Sequence, residues 1–589
     1  MITQQKTQIK SFRHGQRRRR THGRRHQRAT QTKMGVLKII PLGGMEEVGR
    51  NMTVFEYDND IVILDMGLQF PEEEMHGIDY IIPNISSLRG KEKNIRGVIF
   101  SHGHLDHIGA APILLKKLGY PPIIGRDLTL ALIKRRLEDY QDKSAKNLKT
   151  IKINSLDEKL NLGKFKVGFF NVEHSIMDAV VVILNTPSGT IIHPGDWTME
   201  KGPIDQNPVS YNHLSSLPPP KILMLESLGA IDTRPTTTTE EEMYANLEKL
   251  INEANGKVII ATFSSQIKRI GHILEYAAKI GKQVALDGYS MKINVEIAKE
   301  LGYIKIPEKT LIPVKEIHKH PENKLIILCT GAQGEGNAVL SRIMTCEHKF
   351  IKIKKQDTII FSSSVIPGNE RTIQRLKDSL YRQCDNVIHN DIMDVHTSGH
   401  SNAQSIKEII KQIQPDYFIP SYANHFFLKE AAKLAIETGI PKDKIFVLDN
   451  GSILEFHNRE AKVLNKKVDT SYVFVDGLGI GDIGQVVLRD RQMLARDGMF
   501  VIIATIDSKT GKLKNSPDII SRGFVYLKES KALLSDVRKK VKEIVEDTTL
   551  AGHPINWTYV KDNLRDKIGQ FLYNKTERRP MVLPVVIEV

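Results

Sequence analysis

The chain has 589 residues, 40% hydrophobic and 26% charged, with a net charge of +15. That length exceeds what one core organises, so about two to four domains are expected, and the composition is that of a globular chain rather than a disordered one. No run reaches the roughly 18 apolar residues of a spanning helix, which excludes an integral membrane protein of that kind, and three scattered cysteines (Cys329, Cys346, Cys384) exclude a disulfide framework or a CxxC zinc site.

Residues 1–34 carry eleven Lys or Arg and no acid, including Arg17–Arg20, so the rest of the chain contributes only +4. So little is apolar here that the segment is expected to be a disordered basic arm, suited to phosphate contacts. No apolar stretch follows to make a secretory signal; an organellar transit peptide is the other reading. Strand patterns begin at Val36–Ile40 and recur at Met52–Phe55, Ile61–Leu64 and Val98–Phe100. Alternation of strand and helix patterns to about residue 215 argues for α/β layers. Pro218-Pro219-Pro220 marks a break. A second α/β run follows, with strands expected at Lys221–Leu225, Lys257–Thr262, Gln283–Leu286, Leu325–Cys329 and Thr358–Phe361. Beyond about 466, strand patterns at Tyr472–Val475, Gln485–Leu488 and Phe500–Thr505, a helix near Leu533–Thr548 and a last strand at Met581–Val589 suggest a small α+β domain.

The chemistry is concentrated in Ser101-His102-Gly103-His104-Leu105-Asp106-His107, directly after a strand. The tight turn directs His102 and His104 to one metal ion and Asp106 and His107 to a neighbour, and imidazole with carboxylate suits zinc or manganese. His174, after the strand pattern Val167–Phe170, and Asp196, ending Thr190–Asp196, are distant completing ligands. Asp65, at the end of Ile61–Leu64, is expected beneath the loop as an orienting acid. Gly479-Ile480-Gly481-Asp482-Ile483-Gly484 fits GxGxxG, but Gln485–Leu488 reads as a strand, so a turn between strands is expected rather than a dinucleotide site.

The HxHxDH cluster with His174 and Asp196 matches the metallo-β-lactamase superfamily. Within it, Gly43–Asn51, Thr330–Glu335, Ser362–Glu370, His396–His400, Asp476–Asp482 and Arg579–Met581 resemble the ribonuclease J family in order, over essentially residues 36–589. The resemblance implies an α/β fold: a metallo-β-lactamase αββα sandwich (35–215 and 376–460), an inserted β-CASP domain (216–375), and a linker with a small α+β C-terminal domain (461–589). It further implies that His102, His104 and His174 hold one ion, Asp106 and His107 the other, and Asp196 bridges them. Two zinc ions are the expected cofactor, with manganese or magnesium as alternatives. Glu226 corresponds to the acid of the first β-CASP motif and His400 to the histidine of the second, a general acid for the leaving oxygen. Ser362, Ser363, Ser364, His396, Ser398 and His400 are implied in RNA binding.

The implied activity is hydrolysis of RNA phosphodiesters, 5′-to-3′ exonucleolytic and endonucleolytic, in RNA maturation and decay. A cytoplasmic homodimer or homotetramer is expected, or assembly with a paralogue, without a membrane partner. The rival readings are a DNA-acting nuclease of the superfamily and a catalytically weak RNA-binding subunit. One position departs from the family pattern. Where a Pro-x-His-Gly-Glu segment normally supplies a last ligand, this chain has Pro420-Ser421-Tyr422-Ala423-Asn424-His425. Tyr422 stands in the His position; binding as phenolate, replacement by His425 from the same turn, and a weakened second site are all open.

Overall fold

The computed structural model describes residues 35–72, 74–140, 148–199, 209–234, 238–366, 368–458, 460–481, 484–525, 530–549 and 554–589. The basic arm lies outside these residues.

Two sheets pack face to face. The first has eight strands, in spatial order Glu460–Val463, Leu454–His457, Leu37–Gly43, Met52–Tyr57, Asp60–Leu64, Ile95–Ile99, Ile123–Gly125 and Thr150–Lys152. The second has six: Tyr417–Ser421, Lys221–Glu226, Gly189–His193, Val180–Thr186, Phe165–Asn171 and Leu160–Leu162. Side chains alternate across each strand, so Phe55, Val62, Leu64 and Ile99 of the first sheet meet Val167, Val182, Ile191 and Met224 of the second in one core. The opposite faces are also apolar. Ile61, Ile63 and Val98 pack on the helices Ala111–Lys117 and Asp127–Asp139, whereas Val181, Ile192 and Leu223 pack on Ala403–Ile413 and His425–Glu437. The result is an αββα sandwich. Strands buried on both faces must be apolar throughout, which is why Ile61–Leu64 shows no alternation.

The inserted layer is a five-stranded parallel sheet in the order Gln283–Asp287, Leu325–Cys329, Val258–Thr262, Thr358–Ser362 and Asn386–Ile388. Helices Ile267–Lys279 and Tyr289–Glu300 cover one face and Glu370–Tyr381 the other. The strand anticipated at Lys221–Leu225 in this second run sits instead in the sandwich, parallel to Gly189–His193 and Tyr417–Ser421. Asn386–Ile388, within the stretch anticipated to return to the sandwich, still pairs in the inserted sheet.

At the C-terminal end, Met499–Ile506 lies between Asp518–Arg522 and Met581–Glu588, backed by helices Lys531–Thr548 and Trp557–Thr576. Two expectations fail here. Gln485–Leu488 is not a strand but the start of the helix Gln485–Asp497: the Val486-Val487 pair favours a strand locally, yet a polar, arginine-rich continuation makes one amphipathic helix. The turn expected between strands therefore does not join two strands: Gly479–Ile480 precedes this helix, and residues 482 and 483 lie outside the described residues. The preceding strand, Val473–Asp476, belongs to an antiparallel sheet with Gly479–Ile480 and Tyr80–Ile82, so the parallel βαβ unit of a dinucleotide site does not form. That pairing also ties the segment expected in the C-terminal domain to the first sheet's side of the molecule. No described helix is long and apolar enough to cross a membrane.

Candidate metal centre

The strand Ile95–Ile99 runs into Ser101, and His104 then caps a one-turn helix, Leu105–Ile108. The turn folds so that His102 Nε2 lies 3.1 Å from His104 Nδ1. His174 enters from the neighbouring sheet, its Nε2 3.0 Å from the same His104 atom. Asp196, beyond the strand Gly189–His193, places Oδ2 at 3.8 Å from His102 Nε2 and 3.9 Å from His174 Nε2. These four residues offer ligand atoms all within 4.8 Å of one another. The other Asp196 oxygen, Oδ1, is 3.2 Å from His107 Nε2, which is 3.3 Å from Asp106 Oδ2. One carboxylate thus faces both groups.

The outer hydrogen bonds fix which nitrogens face inward. His174 Nδ1 donates to the Gly399 carbonyl at 2.7 Å, and His107 Nδ1 donates to Asp65 Oδ2 at 2.8 Å. The Ser101 hydroxyl donates to Asp65 Oδ2 at 2.8 Å and so accepts from His102 Nδ1 at 3.0 Å. For His102 and His174 this leaves Nε2 as an unprotonated donor toward the centre, the tautomer a metal requires, and it turns His107 Nε2 to the same side. Asp65 is fully buried and held at φ +61°, a conformation disfavoured for a residue with Cβ, by these bonds and one from Ser101 N. It lies beneath the metal loop, against Ser101 and His107. Gly67 is required by contact: a Cβ there would lie 1.5 Å from the Asp106 carbonyl oxygen.

Burial dominates the electrostatics. It lowers the His102 pKa far below the ordinary value, helped by His107 and His174, and takes His104 to about 4 and His174 to about 3. His107 moves the other way, because Asp196, Asp106 and Asp65 outweigh its burial. Burial would raise Asp196, but His107 and His102 hold it well below the carboxylate range. At neutral pH the three histidines of the first group are therefore lone-pair donors around an anionic bridge, and the donor set fits a divalent cation.

Beside this centre, His400 Nδ1 is 3.7 Å from Glu226 Oε2, and its ring centroid is 5.6 Å from that of His174. Burial would lower His400, but the neighbouring Glu226 carboxylate raises it to about 9. Burial raises Glu226, which is anchored by the Leu228 amide at 2.5 Å. At the end of the inserted sheet, buried Arg269 Nη1 donates to Ser362 O at 3.0 Å, Ser362 Oγ at 3.1 Å and His396 Nδ1 at 2.7 Å. Ser362 Oγ donates to Val395 O at 2.7 Å, so its hydroxyl is committed internally. Ser363 is buried and Ser364 exposed, the latter's carbonyl accepting from Gln333 Nε2. Ser398 is exposed and accepts from the His400 amide at 3.1 Å.

His425 is not brought to the centre. It starts the helix His425–Glu437, 48% exposed, with Nδ1 3.9 Å from both Glu46 Oε1 and Asp449 Oδ1. Its assignment as a metal ligand is corrected on that ground: the left-handed Tyr422 (φ +58°), whose amide donates to Gly44 O, turns the chain so that position 422 faces the site and 425 faces outward. The Tyr422 ring packs 5.3 Å from that of His107 and 4.9 Å from that of His193. Burial, with Asp65 and Asp196 nearby, raises its phenol well above 10, so the metal-free protein carries a neutral phenol here. The sequence reading passed over three residues. Arg269 and Asn51 gave no motif signal of their own, and His193 had only its place three residues before Asp196.

Family descriptions match three stretches: the metallo-beta-lactamase superfamily over 45–232, the ribonuclease J beta-CASP domain over 255–380, and the ribonuclease J C-terminal domain over 486–589. The chain is 35% identical to "Ribonuclease J2" of Bacillus subtilis (strain 168), over 94% of this chain and 99% of that one. It is 33% identical to "Ribonuclease J 2" of Staphylococcus aureus (strain MRSA252), over 94% and 98% respectively. A crystal structure of a protein of unknown function from Enterococcus faecalis V583 superposes with TM-score 0.50 at 14% identity, covering 73% of this chain and all of that one, a likeness of fold alone.

The buried neutral histidines predict an acid-labile apoprotein. Their folded pKa values lie below the ordinary 6.5, so the unfolded state binds more protons and stability falls as pH drops below about 6.5. Melting of metal-stripped protein should move to lower temperature between pH 6.5 and 5, and metal should blunt the trend; a flat profile contradicts it.

Proposed function

The chain belongs to the ribonuclease J family, and on that premise we propose that it hydrolyses RNA phosphodiesters at the Asp196-bridged centre, as a 5′-to-3′ exonuclease and as an endonuclease. The observation that carries this reading is one carboxylate shared between two ligand groups, with the His400–Glu226 pair 3.7 Å apart alongside. A divalent ion bound there supplies a water that deprotonates near neutral pH and offsets phosphate charge. The family implies such an ion; three imidazoles and a carboxylate favour zinc in the first group, with manganese and magnesium as rivals.

The chain's own residues do the rest. Asp65 and the Gly399 carbonyl hold the His107 and His174 rings in register. His400, cationic at neutral pH, gives its proton to the leaving ribose oxygen, and Glu226 keeps that proton in place beforehand. The Arg269–His396–Ser362 cluster stiffens the rim of the inserted sheet, where backbone phosphates are received; Ser363, Ser364 and Ser398 lie on the same rim.

Assembly is part of the proposal. The outer face of the C-terminal sheet exposes Leu583, Val585, Ile587 and Ile520 side by side, an apolar strip that a second copy of the chain would cover. The three cysteines are free, which supports a reducing, cytoplasmic setting.

Degradation of 5′-monophosphorylated RNA in the presence of zinc or manganese tests the activity, run beside a DNA of the same sequence. Loss of RNA alone is expected, and it should vanish in the Asp106→Ala, His107→Ala variant. His400→Ala should slow cleavage by about 10²- to 10⁴-fold with RNA binding kept, and the wild-type rate should fall as pH rises toward 9 and the acid loses its proton. Intact RNA under every metal, or equal loss of DNA, defeats the reading. Separately, Val585→Asp with Ile587→Asp should shift the sedimenting species to monomer; an unchanged species places the interface elsewhere.

A further inference from the structure

The second ligand group has three protein donors, and among the described residues no histidine closes it as a fourth. Asp106, His107 and Asp196 face it, and position 422 offers only a phenol. His425 points outward, as described above. His193 is buried nearby, but its Nδ1 accepts from the Gly195 amide at 2.9 Å, so its Nε2 carries the proton and has no lone pair to give. That leaves Asn51.

Asn51 is 2% exposed, and its backbone is pinned to the metal loop: its amide donates to the Asp106 carbonyl at 3.1 Å, and its carbonyl accepts from Gly67 N at 2.9 Å. Its side-chain nitrogen Nδ2 lies 3.2 Å from Asp106 Oδ2 and 3.0 Å from His107 Nε2. Those are the lone pairs a cation would use. An N–H pair and a cation cannot both occupy them, because the hydrogens carry positive charge toward the ion. The amide's other end, Oδ1, is buried without a hydrogen-bond partner. A half-turn about the last side-chain bond exchanges the two ends, and it relieves both conflicts. Oδ1 then faces the ion, and Nδ2 moves to the space beside Gly44 and the Tyr422 ring. That space exists because residue 44 has no side chain: a Cβ there would lie 2.5 Å from Asn51 Oδ1 and 2.8 Å from Tyr422 Cδ1. The displaced N–H group meets the π face or edge of a buried aromatic ring, a tolerated partner.

We propose that Asn51 supplies its side-chain oxygen as the closing ligand of the second ion, in place of the imidazole that Tyr422 replaces, and that this position selects a harder cation than the first. Three oxygens and one imidazole suit manganese or magnesium, whereas three imidazoles and one carboxylate suit zinc. The inference deepens the hydrolase reading and rests on it, and it assigns the two positions different metals.

The test loads the full-length protein with one equivalent of zinc and titrates manganese, read by calorimetry and by electron paramagnetic resonance without RNA. Wild type should bind one manganese. Asn51→Ala should weaken it by about tenfold or more and leave the zinc equivalent intact, which also shows that the variant is folded. Asn51→Asp separates the two roles by sign. As an oxygen ligand the carboxylate tightens manganese; had Asn51 served only to donate N–H, the same change weakens it. Adding Tyr422→His to Asn51→Ala should restore the ion. Equal manganese affinity in wild type and Asn51→Ala, weaker binding in Asn51→Asp, or no manganese on zinc-loaded wild type overturns the proposal. None of these outcomes bears on RNA hydrolysis, which the degradation assay reads by itself.

Discussion

Lone pairs crowded together in a buried space repel, and that repulsion governs this protein. His102, His104 and His174 direct ring nitrogens at one another across about 3 Å, with Asp196 closing the group. One proton on His104 Nδ1 is all that neutral rings can place among them, and burial keeps further protons off. A cation in their midst would engage every donor at once, so its binding is coupled to the stability of the loops that carry them.

The sandwich exists in this form to hold those loops apart from water and in fixed relation. His102 through His107 stand at the end of a first-sheet strand, while His174, Asp196 and Glu226 stand at ends of second-sheet strands. Because both sheets are apolar on both faces, neither can slide or twist without opening a core. The strained φ of Asp65 is stable only inside that frame, where three hydrogen bonds to its carboxylate hold it. His400 comes from the segment following the inserted sheet and reaches the same point from the far side. His400 and the candidate metal ligands are thus delivered by different layers.

Much of this was legible in the sequence because it is encoded locally. HxHxDH packs four ligands into six residues, and doubly buried strands read as unbroken apolar runs. What was not legible depended on contacts between distant segments. The strand Lys221–Glu226 looks like any buried strand, and only its partners assign it to the sandwich. The helix Gln485–Asp497 opens with two β-branched residues, whose local preference is overruled downstream. His425 seemed an eligible ligand by proximity in sequence, but a single left-handed residue reversed its direction. Arg269 carries no pattern, and Asn51 lies in the Gly43–Asn51 stretch with nothing to mark its side chain; they matter through contacts 127 and 56 positions away, with His396 and His107.

The small antiparallel sheet has a mechanical meaning. Val475 pairs with Tyr80, Ile81 exchanges hydrogen bonds with Gln69, and Leu68 donates to the Leu105 carbonyl at the start of the metal loop. Three short backbone links therefore join the tether of the C-terminal domain to the turn that carries Asp106 and His107. A displacement of the tether would therefore act on the metal loop along hydrogen-bonded strands rather than through a slack hinge. A chain cut just before residue 473 would lose that brace and leave Tyr80–Ile82 as a bare edge.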